Sequence, residues 1–459
     1  MRQTNQAAAK SSGNKMGSMP IPALLCNMSI PLMVSLLMQS LYNIVDSIFV
    51  SKISETALTA TSLAYPVQIL MVAAAVGTGV GISALLSRLV GQKKYAEASA
   101  GAMTGLLLAI ATSLIFMLLG AVAVNGFVGL FTDDPETAQM CAQYLRICML
   151  FCTGNFLEIT AQRFLQAVGN TFLSMVSLFA SALTNIVLDP ILIFGIGPFP
   201  ELGIRGAAIA TVIGQWVGAA VALGLNIFKN KEIRLTFRGF RLDLHTVAGI
   251  YQVGLPTMVM QAMGSIMNAA MNAILISFSS TAVAFFGVYF KLQNFLFMPI
   301  NGLGQAVLPI AGFNYGSRNR ERLQTILKTA LPAAAVIGLL GTILFCAIPG
   351  PLLSLFSASE EMLAIGIPAL RIISVGFAFG ALTTVMGFYA SGLGNGVINM
   401  LGTGLRQFIL LIPSVWILAR LGGIDVIWFA FWISETGALL VTAILFVREY
   451  RKKLQTLQA

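Results

Sequence analysis

Residues 185–194 read NIVLDPILIF. In a water-soluble chain the pair Asp189-Pro190 would mark a turn, because proline removes a backbone donor and presets a reversal. Here it stands inside residues 171–196, a run that is otherwise almost wholly apolar. About 20 such residues suffice to cross a bilayer. A charged side chain at bilayer depth costs about 2.5–3.5 kcal/mol on insertion scales. Whether this run is a membrane span therefore decides the fold, and the carboxylate inside it asks for a function.

The composition answers for a span. Of 459 residues, 57% are hydrophobic and only 10% are charged, against about 25% charged in soluble domains. The mean hydropathy of +0.86 over the full length implies many spans and not one anchor. Twelve are expected, at roughly 24–50, 58–86, 99–125, 138–163, 171–196, 206–228, 248–278, 281–307, 325–348, 362–390, 397–420 and 424–447. The fold class is thus an all-α integral membrane protein with twelve transmembrane helices. The leader MRQTNQAAAKSSGNK lacks a charged region running straight into a cleavable apolar segment, so the first span is expected to be retained.

Charge placement orients the spans. Arg88, Lys93, Lys94, Arg163, Lys229, Lys231, Arg234, Arg238, Arg241, Arg318, Arg320, Arg322, Lys328, Arg448, Arg451, Lys452 and Lys453 fall on the side of the termini. The opposite loops hold Lys52, Arg205 and Arg420, beside Asp133, Asp134, Glu136, Glu360 and Glu361. Basic residues favour the cytoplasmic side, so both termini are expected there. The net charge of +10 is a topology signal; the basic residues are spread over short loops, which argues against nucleic-acid binding. Cys26, Cys141, Cys148, Cys152 and Cys346 read as apolar filler, and with one histidine, His245, no metal site is expected.

The chain repeats itself. At an offset of 225, Pro31 meets Pro256, Asn43 meets Asn268, Gly77 and Gly79 meet Gly302 and Gly304, and Gly91-Gln-Lys93 meets Gly316-Ser-Arg318. Phe131 meets Phe356, Leu145-Arg146 meets Leu370-Arg371, and Gly169-Asn170 meets Gly394-Asn395. Two six-span halves follow: a tail 1–19, an N-lobe 20–228, a linker 229–247, a C-lobe 248–447 and a tail 448–459. Six is even, so both halves enter the membrane in the same sense. Parallel repeats of this kind build secondary transporters around a central cleft.

Polar residues within the spans fall on single helix faces. Gln39, Asn43 and Asp46 share a face of the first span, Asn185 and Asp189 one of the fifth, and Asn155, Glu158 and Gln162 one of the fourth. Burial disfavours an ionised carboxylate, so each acid is suited to hold a proton or, once ionised, a cation. The repeat partners of Asp46, Asp189 and Glu158 are Met271, Ser414 and Thr383, which points to a cation site in the N-lobe alone. The C-lobe has stripes instead: Gln261, Ser265, Asn268 and Asn272 on the seventh span, and Lys291, Asn294, Asn301 and Gln305 on the eighth. These suit a cavity lining or interhelical glue. Lys291 is expected to face the cavity. Arg163 offers Glu158 a surface partner, Glu435 on the last span has no polar stripe around it, and Arg146 and Arg371 are expected at the outer rim.

The segments LYNIVDSIFVSKI, LSRLVGQKKYAEA, NIVLDPILIFGIG, FFGVYFKLQNFLFMPINGLGQ and PIAGFNYGSRN resemble the multidrug and toxic compound extrusion (MATE) family, in its MepA-like bacterial branch. The resemblance covers essentially the whole chain. It implies a cation-driven exporter of organic cationic amphiphiles, with two lobes set in a V, acting as a monomer among lipids of a bacterial cytoplasmic (inner) membrane. It assigns the ion site to Asp46, Asn185 and Asp189, with Thr211 as a neighbour on the sixth span; the coupling ion is a proton first and a sodium ion at Asp46/Asp189 second. No further cofactor is implied. Acids that some relatives carry on the seventh and tenth helices are missing here. The rivals are a lipid-linked sugar flippase of a related fold and, from another class, an ion channel. Among enzyme signatures, no Walker A, HExxH or nucleophile elbow occurs.

Overall fold

The computed structural model describes residues 14–236, 240–356 and 358–455. The first thirteen residues of the leader, Arg238 and the last four residues of the C-terminal tail lie outside it. The chain begins with α1 (Lys15–Ser18), α2 (Ile21–Ser51), α3 (Glu55–Gly91), α4 (Tyr95–Val122) and α5 (Val124–Val128). There follow α6 (Pro135–Leu150), α7 (Thr153–Ala167), α8 (Thr171–Phe194) and α9 (Ile204–Lys229). The second half holds α10 (Leu244–Leu275), α11 (Ser280–Gly316), α12 (Arg320–Ala347), α13 (Pro349–Ser354), α14 (Glu360–Ser374) and α15 (Phe377–Gly392). It ends with α16 (Val397–Gly404), a π-helical turn Leu405–Ile409, α17 (Leu411–Gly422), α18 (Ile424–Ile427) and α19 (Phe429–Gln455).

Among the described residues, ten helices are long and apolar enough to cross a membrane, and α14 with α15, bent by 48°, forms an eleventh. The expected fourth crossing is the pair α6 and α7, with 16 and 15 residues. Both pairs break at nearly the same repeat position, after Leu150 and after Ser374. Reading 138–163 and 362–390 as unbroken spans missed these bends, because averaged hydropathy cannot see them. The linker is also shorter than expected. Its Ile233 is buried, and α10 starts at Leu244, capped by Asp243, which accepts from the N–H groups of His245 and Thr246. At the other end α19 runs on to Gln455, into the expected tail.

The repeat is visible in the backbone. Lys93 and Arg318 both have positive φ, 61° and 56°, as do Gly169 and Gly394, at 90° and 92°. Each pair is related by the same offset, so the loops after α3 and α11, and after α7 and α15, turn alike. Packing follows suit: α2 lies against α8 in its own half and α11 in the other, while α10 lies against α16 in its own half and α3 in the other.

The halves meet through glycines in matched pairs. A Cβ at Gly77 would lie 2.3 Å from Met258 Cγ, and one at Gly302 would lie 2.6 Å from Met33 Cγ. One at Gly91 would lie 2.0 Å from the Phe313 carbonyl oxygen, and one at Gly316 would lie 2.1 Å from that of Arg88. These contacts concentrate in the second halves of α3 and α11 and the first half of α10, toward the end that bears the linker. The lobes are therefore closed against each other at the linker end. A tie across that end completes the closure. Asn14 donates to Val168 O and Glu232 Oε1, while Arg322 Nη2 donates to Met16 O and Met19 O at 2.9 and 2.7 Å. Burial raises the Glu232 carboxyl above its ordinary value, and the Asn14 bond opposes that.

Candidate cation and substrate site

The fifth crossing, α8, carries Asn185 and Asp189 one turn apart, so both side chains point the same way. Asn185 is 3% exposed and Asp189 is fully buried. Asn185 Nδ2 donates to Asp189 Oδ1 at 3.2 Å and reaches Thr211 Oγ1 of α9 at 3.4 Å. Gly214 lets α9 approach so closely, since a Cβ there would sit 3.2 Å from Asn185 Cβ. Across from them, the Asp46 carboxyl of α2 lies within electrostatic range of Asp189. Asp46 Oδ1, Asp189 Oδ2 and Asn185 Oδ1 are buried without a hydrogen-bond partner. Two neighbouring carboxyl groups, only one of which accepts from an amide, are under-supplied with positive charge. A shared proton or a bound cation answers that deficit.

Glu158 lies beside this pair. It is 5% exposed, with Gln162 Nε2 donating to Oε1 and Ser181 Oγ to Oε2, each at 3.2 Å. Gly218 of α9 makes the room, since a Cβ there would fall 2.4 Å from Oε1. The expected surface pairing with Arg163 does not form. Arg163 instead donates to Gln166 Oε1 at 2.8 Å and to Gln305 Oε1 at 3.1 Å, a bond that crosses from one half to the other. Tyr42 was missed in the sequence: it lies within electrostatic range of Glu158, Asp46 and Asp189. A tyrosine in an apolar span reads as packing until tertiary structure sets acids around it.

The remaining expected residues divide. Asn43 is exposed, with no side-chain hydrogen bond to the acids, so it does not join Asp46 as expected. Gln39, Asn155 and Asn301 are half-buried. Gln261, Asn272 and Asn294 are exposed, whereas Asn268 returns its amide to Gly264 O of its own helix at 3.1 Å. Lys291 is exposed, with its ammonium 6.0 Å from the Phe356 ring centroid, near the end of the helix pair α13–α14. Its long stem carries the charge toward the rim, which relieves the need for a carboxylate at depth. Arg146 donates to Asn125 Oδ1 and Arg371 to Cys346 O, each tying its crossing to the end of the preceding one. Among the described residues no cluster could hold a metal through His, Cys, Asp or Glu, and the five cysteines are free.

The halves do not differ in charge as simply as their sequences suggest. Glu435 of α19 is 5% exposed and faces Arg406 in the π-helical turn, with Nε 3.7 Å from Oε1. The polar surroundings that sequence reading denied to Glu435 come from other helices: Arg406 of the π-helical turn and Tyr289 of α11.

Two helical lobes built from one repeat, pinched together at one end, with uncompensated acids deep in one of them, define a two-lobed membrane transporter. The MatE family model matches residues 31–191 and 256–417, one copy in each half, and the chain belongs to this family of multidrug and toxic compound extrusion transporters. It is a multi-pass transporter and not an enzyme. It is 25% identical over 447 residues to the multidrug export protein MepA of Staphylococcus aureus, covering 95% of this chain and 96% of that protein. It is 28% identical over 347 residues to the FAD transporter of Shewanella oneidensis, covering 75% and 76%. Its fold matches the outward-facing conformation of a multidrug resistance MATE family transporter, with a TM-score of 0.89 and 24% identity over 98% of this chain and 99% of that one. A MATE structure in the bent conformation matches at the same TM-score and identity, over 96% and 98%.

Proposed function

We propose that the chain exports organic cationic amphiphiles by cation antiport, with Asp46 and Asp189 as the coupling acids. The observation that carries this reading is the pair Asp189, fully buried and held by the Asn185 amide, and Asp46, half-buried with a buried unpartnered oxygen, neither matched by a base among the described residues. Protonation, or a sodium ion, relieves their repulsion. Loss of that proton or ion restores a negative charge that an organic cation can neutralise. The two cargoes therefore compete for one deficit, which is what antiport requires. Glu158, held by Gln162 and Ser181, extends the same deficit toward the linker side. Alternating access then needs the lobes to part at the linker end and close at the other, and the matched glycine contacts are the surface that separates.

The energy suffices. One charge moved through 100 mV is worth about 2.3 kcal/mol, and one pH unit about 1.4 kcal/mol. The basic loops put the linker, both termini and the closed end on the cytoplasmic side. In this reading the protein is a monomer in the inner membrane of a bacterium, with lobes 20–228 and 248–447, surrounded by lipid, and needs no cofactor beyond the ion gradient. The kinship with MepA supports multidrug export.

Proteoliposomes loaded with a cationic dye test the proposal under imposed proton or sodium gradients. Gradient-driven dye movement that ceases in Asp189→Asn supports it. Unchanged movement in that variant, or none in the wild type under either gradient, overturns it.

A further inference from the structure

Arg406 has more donors than its surroundings use. It sits about midway along the eleventh crossing, with α16 on one side and α17 on the other. Its guanidinium lies over the Phe297 ring at 5.6 Å. The approach to Glu435 uses Nε alone and, at 3.7 Å, is an ion pair too long for a hydrogen bond. Neither Nη group has a partner among the described residues. Around the pair, Glu435 Oε2, Tyr289 Oη and Gln407 Oε1 are also buried without partners. The arginine side chain is 20% exposed and the glutamate 7%. At this depth an arginine cannot reach the water–lipid boundary, and facing lipid would be costly. The exposed part therefore faces the polar interior between the lobes, and the guanidinium can be approached while the carboxylate cannot.

The local backbone is built for this. The π turn closes through Leu410 N–H to Leu405 O at 2.9 Å, five residues apart, and such turns re-aim side chains at functional sites. Gly376 and Gly380 leave space for Glu435, since Cβ atoms there would lie 3.0 and 2.8 Å from its side chain. A planar guanidinium whose Nη edge is free is shaped to take a carboxylate or phosphate through two parallel bonds.

We propose that Arg406 is an anion-accepting subsite of the C-lobe, which binds the carboxylate or phosphate of an amphipathic substrate, with Glu435 as the resident counter-ion. Phe297, buried beneath the guanidinium, braces its inner side and leaves the Nη edge as the face that a ligand can meet. This deepens the proposed export function, on which it rests: the N-lobe acids take positive charge and the C-lobe arginine takes negative charge, so zwitterionic amphiphiles fit both lobes.

The test is equilibrium binding, which needs no gradient and so fails or succeeds independently of antiport. Purified protein in nanodiscs is titrated by fluorescence polarisation with rhodamine B, which has a free carboxylate, and with its methyl ester. The wild type should prefer the acid by about tenfold, the value of one charge-assisted hydrogen-bond pair. In Arg406→Met/Glu435→Gln, which removes both charges together, the preference should vanish. In Glu435→Gln, which removes the competing counter-ion, it should grow. Thermal melting of each variant confirms that it is folded. Equal affinity for acid and ester in the wild type, or a preference that survives in the folded double variant, overturns the proposal.

Discussion

The two lobes bury acids at comparable depth but satisfy them differently. In the N-lobe, Asp189 accepts from the Asn185 amide with Asp46 as its neighbour, and Glu158 accepts from Gln162 and Ser181. No base enters. In the C-lobe, Glu435 meets Arg406. A site held by neutral donors keeps a net negative charge when ionised and must import its neutralising ion, so it can be loaded and emptied. A site with its own arginine is neutral by itself and is free to recognise something else. One fold, duplicated, thus supports an exchangeable charge in one lobe and a fixed pair in the other.

Neutralising the exchangeable charge should have the largest effect. Asp189→Asn and Asp46→Asn should each reduce gradient-driven dye transport in proteoliposomes to the level of protein-free vesicles, while melting temperatures stay near that of the wild type. Retained coupling in both would erase the functional contrast between the lobes. Breaking the fixed pair should harm the fold instead. Glu435→Ala leaves a half-buried arginine uncompensated and should lower stability by less than the roughly 3–5 kcal/mol of a fully buried pair, whereas Arg406→Met/Glu435→Leu should recover most of that. Thermal denaturation in detergent distinguishes the two outcomes, and an unchanged melting point for Glu435→Ala would show that the pair is not a structural unit.

A smaller effect tests how closely the N-lobe site is fitted. Gly218→Ala drives a methyl group against the Glu158 carboxylate, which overpacking places at about 1–3 kcal/mol. Transport should weaken in that variant, and Ala substitution at the uncrowded Gly224 should not have this effect. The smallest effect concerns how each lobe begins. Helix α2 starts at Pro20 without a side-chain cap, whereas α10 is capped by Asp243. Hydrogen bonds from the His245 and Thr246 N–H groups hold the Asp243 carboxyl below its usual range. Its contribution is present above that range and lost as pH falls through the lowered value. Asp243→Ala should therefore lower the melting point slightly at neutral pH and leave no difference in strong acid.

Much of this was written in the sequence. Hydropathy declared the spans, and the 225-residue offset declared two lobes, down to the matched positive φ of Lys93 and Arg318. Asp189 and Asn185, four residues apart, had to share a helix face. What the sequence hid depended on helices far apart in the chain. Tyr42 joins the acids only because α2 packs on α8, and Arg406 gains meaning only when α19 brings Glu435 to it. Arg163 looked like a neighbour of Glu158 by spacing, yet the fold spends it on Gln166 and Gln305. Asn43 shared a helical stripe with Asp46, yet it is exposed and makes no side-chain hydrogen bond to the acids among the described residues.

Composition and periodicity act on each helix separately, so the sequence alone determined that the chain lies in a membrane, how many times it crosses, how its halves repeat and which polar residues are too costly to be incidental. Pairing is a property of distance between helices, and distance is set by the small residues at their crossings. Gly214 and Gly218 bring α9 onto Asn185 and Glu158, and Gly376 and Gly380 bring α15 onto Glu435. Only the tertiary structure decided that NIVLDPILIF places its aspartate against Asp46 with no base in reach, while the acid of the other lobe faces an arginine.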